Sequence, residues 1–173
     1  NFFYGQNLSS KLNQLTKLKK GAKILLHKVK KPENYGVAKL DKNNQISQLI
    51  EKPKKFVSDL AVTGLYYFDN KVVKLSKKLK PSKRGEIEII DLITKYKKLG
   101  ELKGDLIGRG AAWLDTGTIS DFYKTSAFVE AIENRQGLKI ACIEEIAFNN
   151  KWIGKKQIKD SINFYGNCEY SSY

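Results

Sequence analysis

Three charged stations in this sequence combine residue types suited to an anionic, hydroxyl-bearing ligand: Glu51-Lys52-Pro53, Arg84-Gly85-Glu86 and Asp115. Each falls where an extended segment ends, and open α/β sheets place binding and catalytic groups at strand ends. Lys52 and Arg84 are cations of the kind that hold phosphate oxygens. Glu51 can accept hydrogen bonds from sugar hydroxyls. Asp115 stands behind the apolar run Ala111-Ala112-Trp113-Leu114 and ahead of the small turn Thr116-Gly117-Thr118. One such carboxylate suits Mg²⁺, which takes one or two carboxylates beside phosphate oxygens. Tyr35-Gly36 and Thr63-Gly64 add glycines that let a ligand approach the backbone. Taken singly, each feature has a plain structural reading: Glu51-Lys52 as a surface pair, Arg84 and Glu86 as helix-start charges, Trp113 as core, Asp115 as a turn residue. Their joint occurrence is what points to a site.

Nucleophilic catalysis by the protein is not indicated. His27 is the single histidine and stands alone in a strand-like segment. Cys142 and Cys168 have no metal-ligand spacing, which argues against zinc and against a disulfide framework. The chemistry expected is positioning and charge neutralisation.

These stations must be held by alternating strands and helices. A helix is expected from Leu8 to Lys20, stopped by Gly21, and a strand from Ala22 to Lys30. Val37–Leu40 and Gln45–Ile50 flank Asp41-Lys42-Asn43-Asn44, a hairpin signal. Ala61–Phe68 reads as a buried strand, followed by a helix capped by Asp69 or Asn70. Further helices are expected at Ile87–Leu99, Ser120–Gln136 and Glu144–Ile153, with strands at Leu102–Ile107 and Leu138–Cys142. Asp115 falls between a strand and a helix, with Thr118 or Ser120 able to cap the latter. This pattern predicts an α/β fold with a mixed, mostly parallel sheet and flanking helices. The expected division is one domain over 1–153 and a weakly patterned tail over 154–173.

Composition narrows the function classes. With 173 residues, 41% of them hydrophobic, the chain can bury a substantial core. Net charge is 32 − 18 = +14, which favours anionic partners. Only Arg84, Arg109 and Arg135 are arginines, however, and the lysines are scattered over helices and loops. Bidentate base reading favours Arg, so a nucleic-acid partner is not expected. No apolar run reaches the roughly 18 residues of a membrane span, and the default compartment is the cytoplasm. The chain opens on Asn1 and contains no Met, which reads as a processed or partial chain.

Several runs together resemble one family. They are Pro32-Glu33-Asn34-Tyr35-Gly36-Val37, Glu51-Lys52-Pro53, Ala61-Val62-Thr63-Gly64-Leu65-Tyr66, Lys80-Pro81-Ser82-Lys83-Arg84-Gly85-Glu86-Ile87, Gly108 to Thr118, and Arg135-Gln136-Gly137-Leu138-Lys139-Ile140-Ala141-Cys142. In order and spacing they resemble the C-terminal part of the bacterial glucose-1-phosphate thymidylyltransferases, from Asn1 to about Trp152. Ala-Trp-Leu-Asp-Thr-Gly and Arg-Gln-Gly-x-Lys-Ile-Ala-Cys are the specific runs; Glu-Lys-Pro is shared across sugar nucleotidyltransferases.

The resemblance implies a Rossmann-like nucleotidyltransferase fold and transfer of a thymidylyl group from dTTP to glucose 1-phosphate, with Mg²⁺ and release of pyrophosphate. By motif, Tyr35 and Gly36 would line the sugar pocket, Glu51 would bind glucose hydroxyls, and Lys52 and Arg84 would hold the sugar's phosphate. Val62 and Gly64 would contact the glucosyl group, Trp113 would pack beside the site, and Asp115 would be one of two carboxylates on Mg²⁺. The resemblance also implies a homotetramer in dTDP-rhamnose synthesis for cell-surface polysaccharide. It implies inhibition by a dTDP-sugar end product at a second site, with Tyr4, Gly5, Arg109, Ala141, Glu144 and Ile146 in the matching segments. The family's N-terminal third, with its Gly-rich triphosphate loop, base-reading residues and first metal carboxylate, has no counterpart in this sequence; Asn1 would be the Asn of the family's Asp-Asn pair. The chain alone is therefore expected to lack turnover. A uridylyl- or cytidylyltransferase, a non-catalytic sugar-phosphate binding module and a basic nucleic-acid binding protein are the alternatives.

Overall fold

In a computed structural model, which describes residues 1–82 and 85–173, the chain divides into two compact units, Asn1–Leu114 and Asp115–Tyr173.

The first unit is built on a five-stranded sheet with strand order β4-β3-β5-β2-β6. Its strands are β2 (Ala22–Lys28), β3 (Gly36–Leu40), β4 (Ile46–Glu51), β5 (Leu60–Phe68) and β6 (Leu102–Leu106). The sheet is mixed, as expected, but its balance differs from the expected one. Only β2–β6 is parallel among the described pairings, while β2–β5, β3–β4 and β3–β5 are antiparallel. For β3–β4 the reason is local: the two strands are joined by five residues, 41–45, too few for a crossover. Asp41 organises that turn, its Oδ1 accepting the Asn43 and Gln45 N–H groups at 2.8 Å each.

Alternation along β2 sends its residues to two faces. Ala22, Ile24 and Leu26 meet Leu92, Ile93 and Tyr96 of α3 (Ile89–Lys98) in the larger core cluster. Leu25 meets Leu15 of α1 (Leu8–Leu15) and Ile107 in a smaller one. The helix α1 ends five residues before the expected last residue, Lys20. Buried Leu15 closes it, and the bond from the Leu18 N–H to the Leu15 carbonyl tightens the chain into a turn that leaves the following lysines in solvent. A shorter helix, α2 (Lys71–Ser76), follows β5.

Below α2, Asp69 is a buried polar hub. Its carboxylate accepts the Gly21 N–H at 2.7 Å, the Tyr96 hydroxyl at 2.8 Å and the Lys71 N–H at 3.0 Å. Burial pushes the Asp69 carboxyl up, but these three donors and the Lys71 ammonium outweigh it and hold the group below the usual carboxylate range. The Tyr96 phenol is raised well above its ordinary value, by burial first and then by Asp69. One carboxylate thus ties the turn after α1 to both α2 and α3.

A separate two-stranded ribbon pairs β1 (Phe2–Gly5) with β7 (Ala111–Leu114) antiparallel, Phe3 opposite Trp113. This pairing was not legible in the sequence beyond the aromatic run at the start. It is β7, rather than the segment ending at Ile107, that runs directly into Asp115.

The second unit is helical: α4 (Ile119–Gln136), α5 (Ile143–Asn149), α6 (Lys155–Tyr165) and α7 (Glu169–Ser172). Thr118 caps α4, its Oγ1 accepting the Asp121 N–H at 3.1 Å. Gly137 ends it at φ +68°, the left-handed geometry in which glycine is least penalised. The strand expected at Leu138–Cys142 is a turn instead. The Ile140 N–H is taken by Glu133 Oε1 at 2.7 Å, and Ala141 turns at φ +56°. Residues 155–165 and 169–172, weakly patterned in sequence, are helical.

Candidate functional site

In the first unit Trp113 stands in an aromatic cluster with Tyr35 and His27. The Trp113 ring lies 5.2 Å from that of Tyr35 and 6.1 Å, edge-on, from that of His27. Its indole N–H donates to Asn1 Oδ1 at 3.0 Å. A Cβ built on Gly64 would stand 2.9 Å from the Asn1 side-chain nitrogen. Tyr35, Gly64 and Trp113 are therefore neighbours or share the neighbour Asn1, although they come from three separate stretches of chain; Val62 lies 4.0 Å from the Cβ position of Gly36.

Local geometry explains the glycines. Gly36 faces Glu51 across the β3–β4 pair, and a Cβ there would meet Glu51 Oε2 at 2.7 Å. Only the missing side chain lets the carboxylate lie over β3. Gly64 sits in an irregularity of β5, where Ile24 pairs with Tyr66 but Leu26 pairs with Val62. Two extra residues are accommodated on β5, with Gly64 at φ +82° and the Thr63 hydroxyl donating to the Leu25 carbonyl at 3.0 Å. Such bulges redirect a strand locally, and this one brings Gly64 beside Asn1.

Lys52 has φ +43°, an uncommon conformation for a side-chain-bearing residue and one further constrained by Pro53 behind it. Its N–H is fixed to the Tyr35 carbonyl at 3.0 Å, which locks the end of β4 to the Tyr35 turn. The Lys52 side chain is exposed and has no carboxylate partner among the described residues. Glu51 is exposed as well. Its charge adds to burial, the larger cause, in raising the Tyr66 phenol.

His27 was set aside in the sequence as solitary. Alternation along β2 places it on the Leu25 face, and that signal could have marked it. Burial lowers its pKa, so the imidazole is neutral near pH 7, and Nδ1 is buried without a hydrogen-bond partner.

Asp115 opens the second unit. Its Oδ1 accepts the Thr116 N–H at 2.9 Å, and a Cβ on Gly117 would lie 3.4 Å from Oδ2. Glycine at 117 thus leaves that oxygen uncovered. Among the described residues no cluster of three or more His, Cys, Asp or Glu side chains is placed to hold a metal. Arg84 lies outside the described residues.

The residues matched to a second site fall in both units. In the first, Tyr4 and Gly5 pair with Ala112 and Ala111, and Arg109 lies in the turn just before β7. A Cβ on Gly5 would come within 2.5 Å of the Gly110 carbonyl oxygen, so this turn is held against β1. In the second, Ala141 and Ile146 flank Glu144, whose carboxylate accepts the hydroxyls of Tyr165, at 3.2 Å, and Tyr170. These donors, Tyr170 foremost, hold the Glu144 carboxyl below its ordinary value.

The chain, with its mixed sheet and flanking helices, belongs to the nucleotidyl transferase family, whose model matches residues 1–132. Its curated relatives are more particular. The glucose-1-phosphate thymidylyltransferase of Neisseria gonorrhoeae is 43% identical over all 173 residues, and the chain spans 60% of that relative's length. The enzyme of the same name from Xanthomonas campestris pv. campestris (strain B100) is 43% identical over 159 residues, 92% of this chain and 54% of the relative. A 2.76 Å crystal structure from Bacillus anthracis, described as a glucose-1-phosphate thymidylyltransferase in complex with sucrose, matches with a TM-score of 0.62 and 38% identity. That match covers 73% of this chain and 50% of the other.

Proposed function

We propose that this chain supplies the sugar-phosphate side of an enzyme that transfers a thymidylyl group from dTTP to glucose 1-phosphate, giving dTDP-glucose and pyrophosphate. The observation that carries the reading is the convergence of Tyr35, Gly36, Glu51, Gly64 and Trp113 in one unit. Aromatic faces, an exposed carboxylate and missing side chains together suit a sugar ring.

In this reading Glu51 accepts hydrogen bonds from the glucose hydroxyls, and Tyr35, Val62 and Trp113 flank the ring. Lys52, and Arg84 with it, hold the phosphate. An oxygen of that phosphate attacks the α-phosphorus of dTTP; the new P–O bond forms as the bond to the β-phosphate oxygen breaks, and pyrophosphate leaves with that electron pair. The protein's part is to orient the two phosphates and offset their charge, since phosphoryl-type transfer needs little else from side chains. Asp115 fits Mg²⁺: it is a hard oxygen donor with Oδ2 uncovered beside Gly117. Mg²⁺ bound there would neutralise triphosphate charge and orient the α-phosphate.

The same reading places the enzyme in dTDP-rhamnose and surface-polysaccharide precursor synthesis, as a cytoplasmic homotetramer. A dTDP-sugar end product would inhibit it through the segments of Tyr4, Gly5, Arg109, Ala141, Glu144 and Ile146. No helix among the described residues is long and apolar enough to cross a membrane.

The test is calorimetric titration of this chain with glucose 1-phosphate, glucose and inorganic phosphate. The reading expects glucose 1-phosphate to bind more tightly than either part, and Glu51→Gln to weaken it about tenfold or more. Equal affinity for glucose 1-phosphate and inorganic phosphate would overturn the sugar assignment.

A further inference from the structure

We propose a second anion site on the first unit, sharing no residue with the candidate sugar pocket, that takes a phosphomonoester through Lys23 and Lys103. The two lysines are Cα partners in the parallel β2–β6 pair, so their side chains leave the same face of the sheet from strands about 4.8 Å apart. Like charges placed directly opposite each other repel. Neither ammonium has a carboxylate partner among the described residues. Both line one cavity of about 420 Å³.

The rest of that cavity is built for an anion too. The turn between β3 and β4 is pinned to β6, the Gly104 N–H donating to the Asn44 carbonyl at 2.9 Å. This holds Asn43 and Asn44 at the cavity wall, with Asn44 fixed at φ +58°. Their carboxamides add neutral donors beside the two ammonium groups. The carboxylate present, Asp105, is already matched, with Lys11 Nζ 2.6 Å from its Oδ1. Three lysines against one aspartate leave the lining with a surplus of two positive charges.

A dianion between Lys23 and Lys103 would remove their repulsion and gain charge-assisted hydrogen bonds from both. The chemical class follows from shape as well as charge. A cavity of this volume exceeds what a bare phosphate fills, and Leu106 offers an apolar wall to an organic group. None of these residues takes part in the proposed transfer.

The experiment is a ¹⁵N-HSQC titration of the chain with glycerol 3-phosphate and, separately, with inorganic phosphate, each against sodium chloride at matched ionic strength. Saturable shifts are expected at Asn44, Lys103 and Gly104, with Lys52→Gln leaving them intact. The double variant Lys23→Gln/Lys103→Gln is expected to weaken binding at least about tenfold. It should melt no lower than the parent without ligand, because a repulsion has been removed, and Lys98→Gln should change neither result. Tighter binding of glycerol 3-phosphate than of phosphate identifies an organic phosphate as the occupant; equal binding identifies the free anion and overturns the phosphomonoester assignment. Shifts that chloride reproduces, or that persist unchanged in the folded double variant, overturn the site.

Discussion

The Trp113 indole N–H donates to the side-chain oxygen of Asn1 at 3.0 Å, joining two residues 112 positions apart in sequence. The Trp113 ring at the same time places the strand that leads to Asp115 beside Tyr35 and His27. The Asn1 amide also occupies the space a Cβ at position 64 would approach, 2.9 Å from its nitrogen. The same Asn1 side chain thus bonds to β7 through its oxygen and lies against Gly64 of the bulged strand through its nitrogen.

Trp113→Phe keeps an aromatic ring against Tyr35 but removes the N–H donor. The expected loss of stability is about 1 kcal/mol, the net worth of one such bond plus a small packing change. Urea denaturation of the chain measures it. Stability equal to the parent's would mean that the Asn1 contact adds nothing.

At Gly64 the backbone has φ +82° and the space for a Cβ is taken by the Asn1 amide. Gly64→Ala should destabilise the chain by roughly 1–2 kcal/mol, from left-handed strain and from the displaced amide. The same substitution at Gly100, with φ +68° and open space, would incur strain alone. A larger loss at Gly64 than at Gly100, read from thermal melts, separates the two causes.

Asp69 makes stability depend on acid. Its pKa is lowered in the folded chain, so the unfolded state binds the extra proton first and stability rises with pH in that range. The carboxylate's contribution is complete above the unfolded pKa and is lost as pH falls through the folded one. Asp69→Asn should cost about 2 kcal/mol at neutral pH, because it puts an N–H₂ group or a neutral oxygen against the Gly21 and Tyr96 donors. It should also flatten the loss of stability on the acid side of about pH 4. Parallel urea titrations at pH 3, 4 and 7 test both.

For Asp115 the expectation separates folding from chemistry. Its side chain makes one local bond, to the Thr116 N–H, so Asp115→Ala should alter stability by no more than about 0.5 kcal/mol. In a full-length enzyme carrying this sequence it should lower pyrophosphate release from dTTP, glucose 1-phosphate and Mg²⁺ by at least about a hundredfold. Turnover within a few-fold of the parent's would remove the metal assignment.

The local pieces were legible along the chain. Alternation set which face of β2 each residue takes; Asp41 to Asn44 marked the hairpin; Thr118 and Gly137 marked the ends of α4. Motifs in order carried the family resemblance, which the match over residues 1–132 bears out. What depended on distant partners was decided only by the tertiary structure. A pairing of β1 with β7 cannot be read from Phe2–Gly5 alone, because four residues carry too little pattern to name a partner 109 positions away. The Leu138–Cys142 segment has a strand's composition, yet Glu133 and the turn at Ala141 take its backbone instead. Asp69 looked like a helix cap, and the fold made it a buried hub by bringing Gly21 and Tyr96 to it. The opposition of Lys23 and Lys103 likewise exists only once β2 and β6 take their register. Local preference is written along the chain, whereas pairing, burial and electrostatic company are properties of what the folded chain brings together.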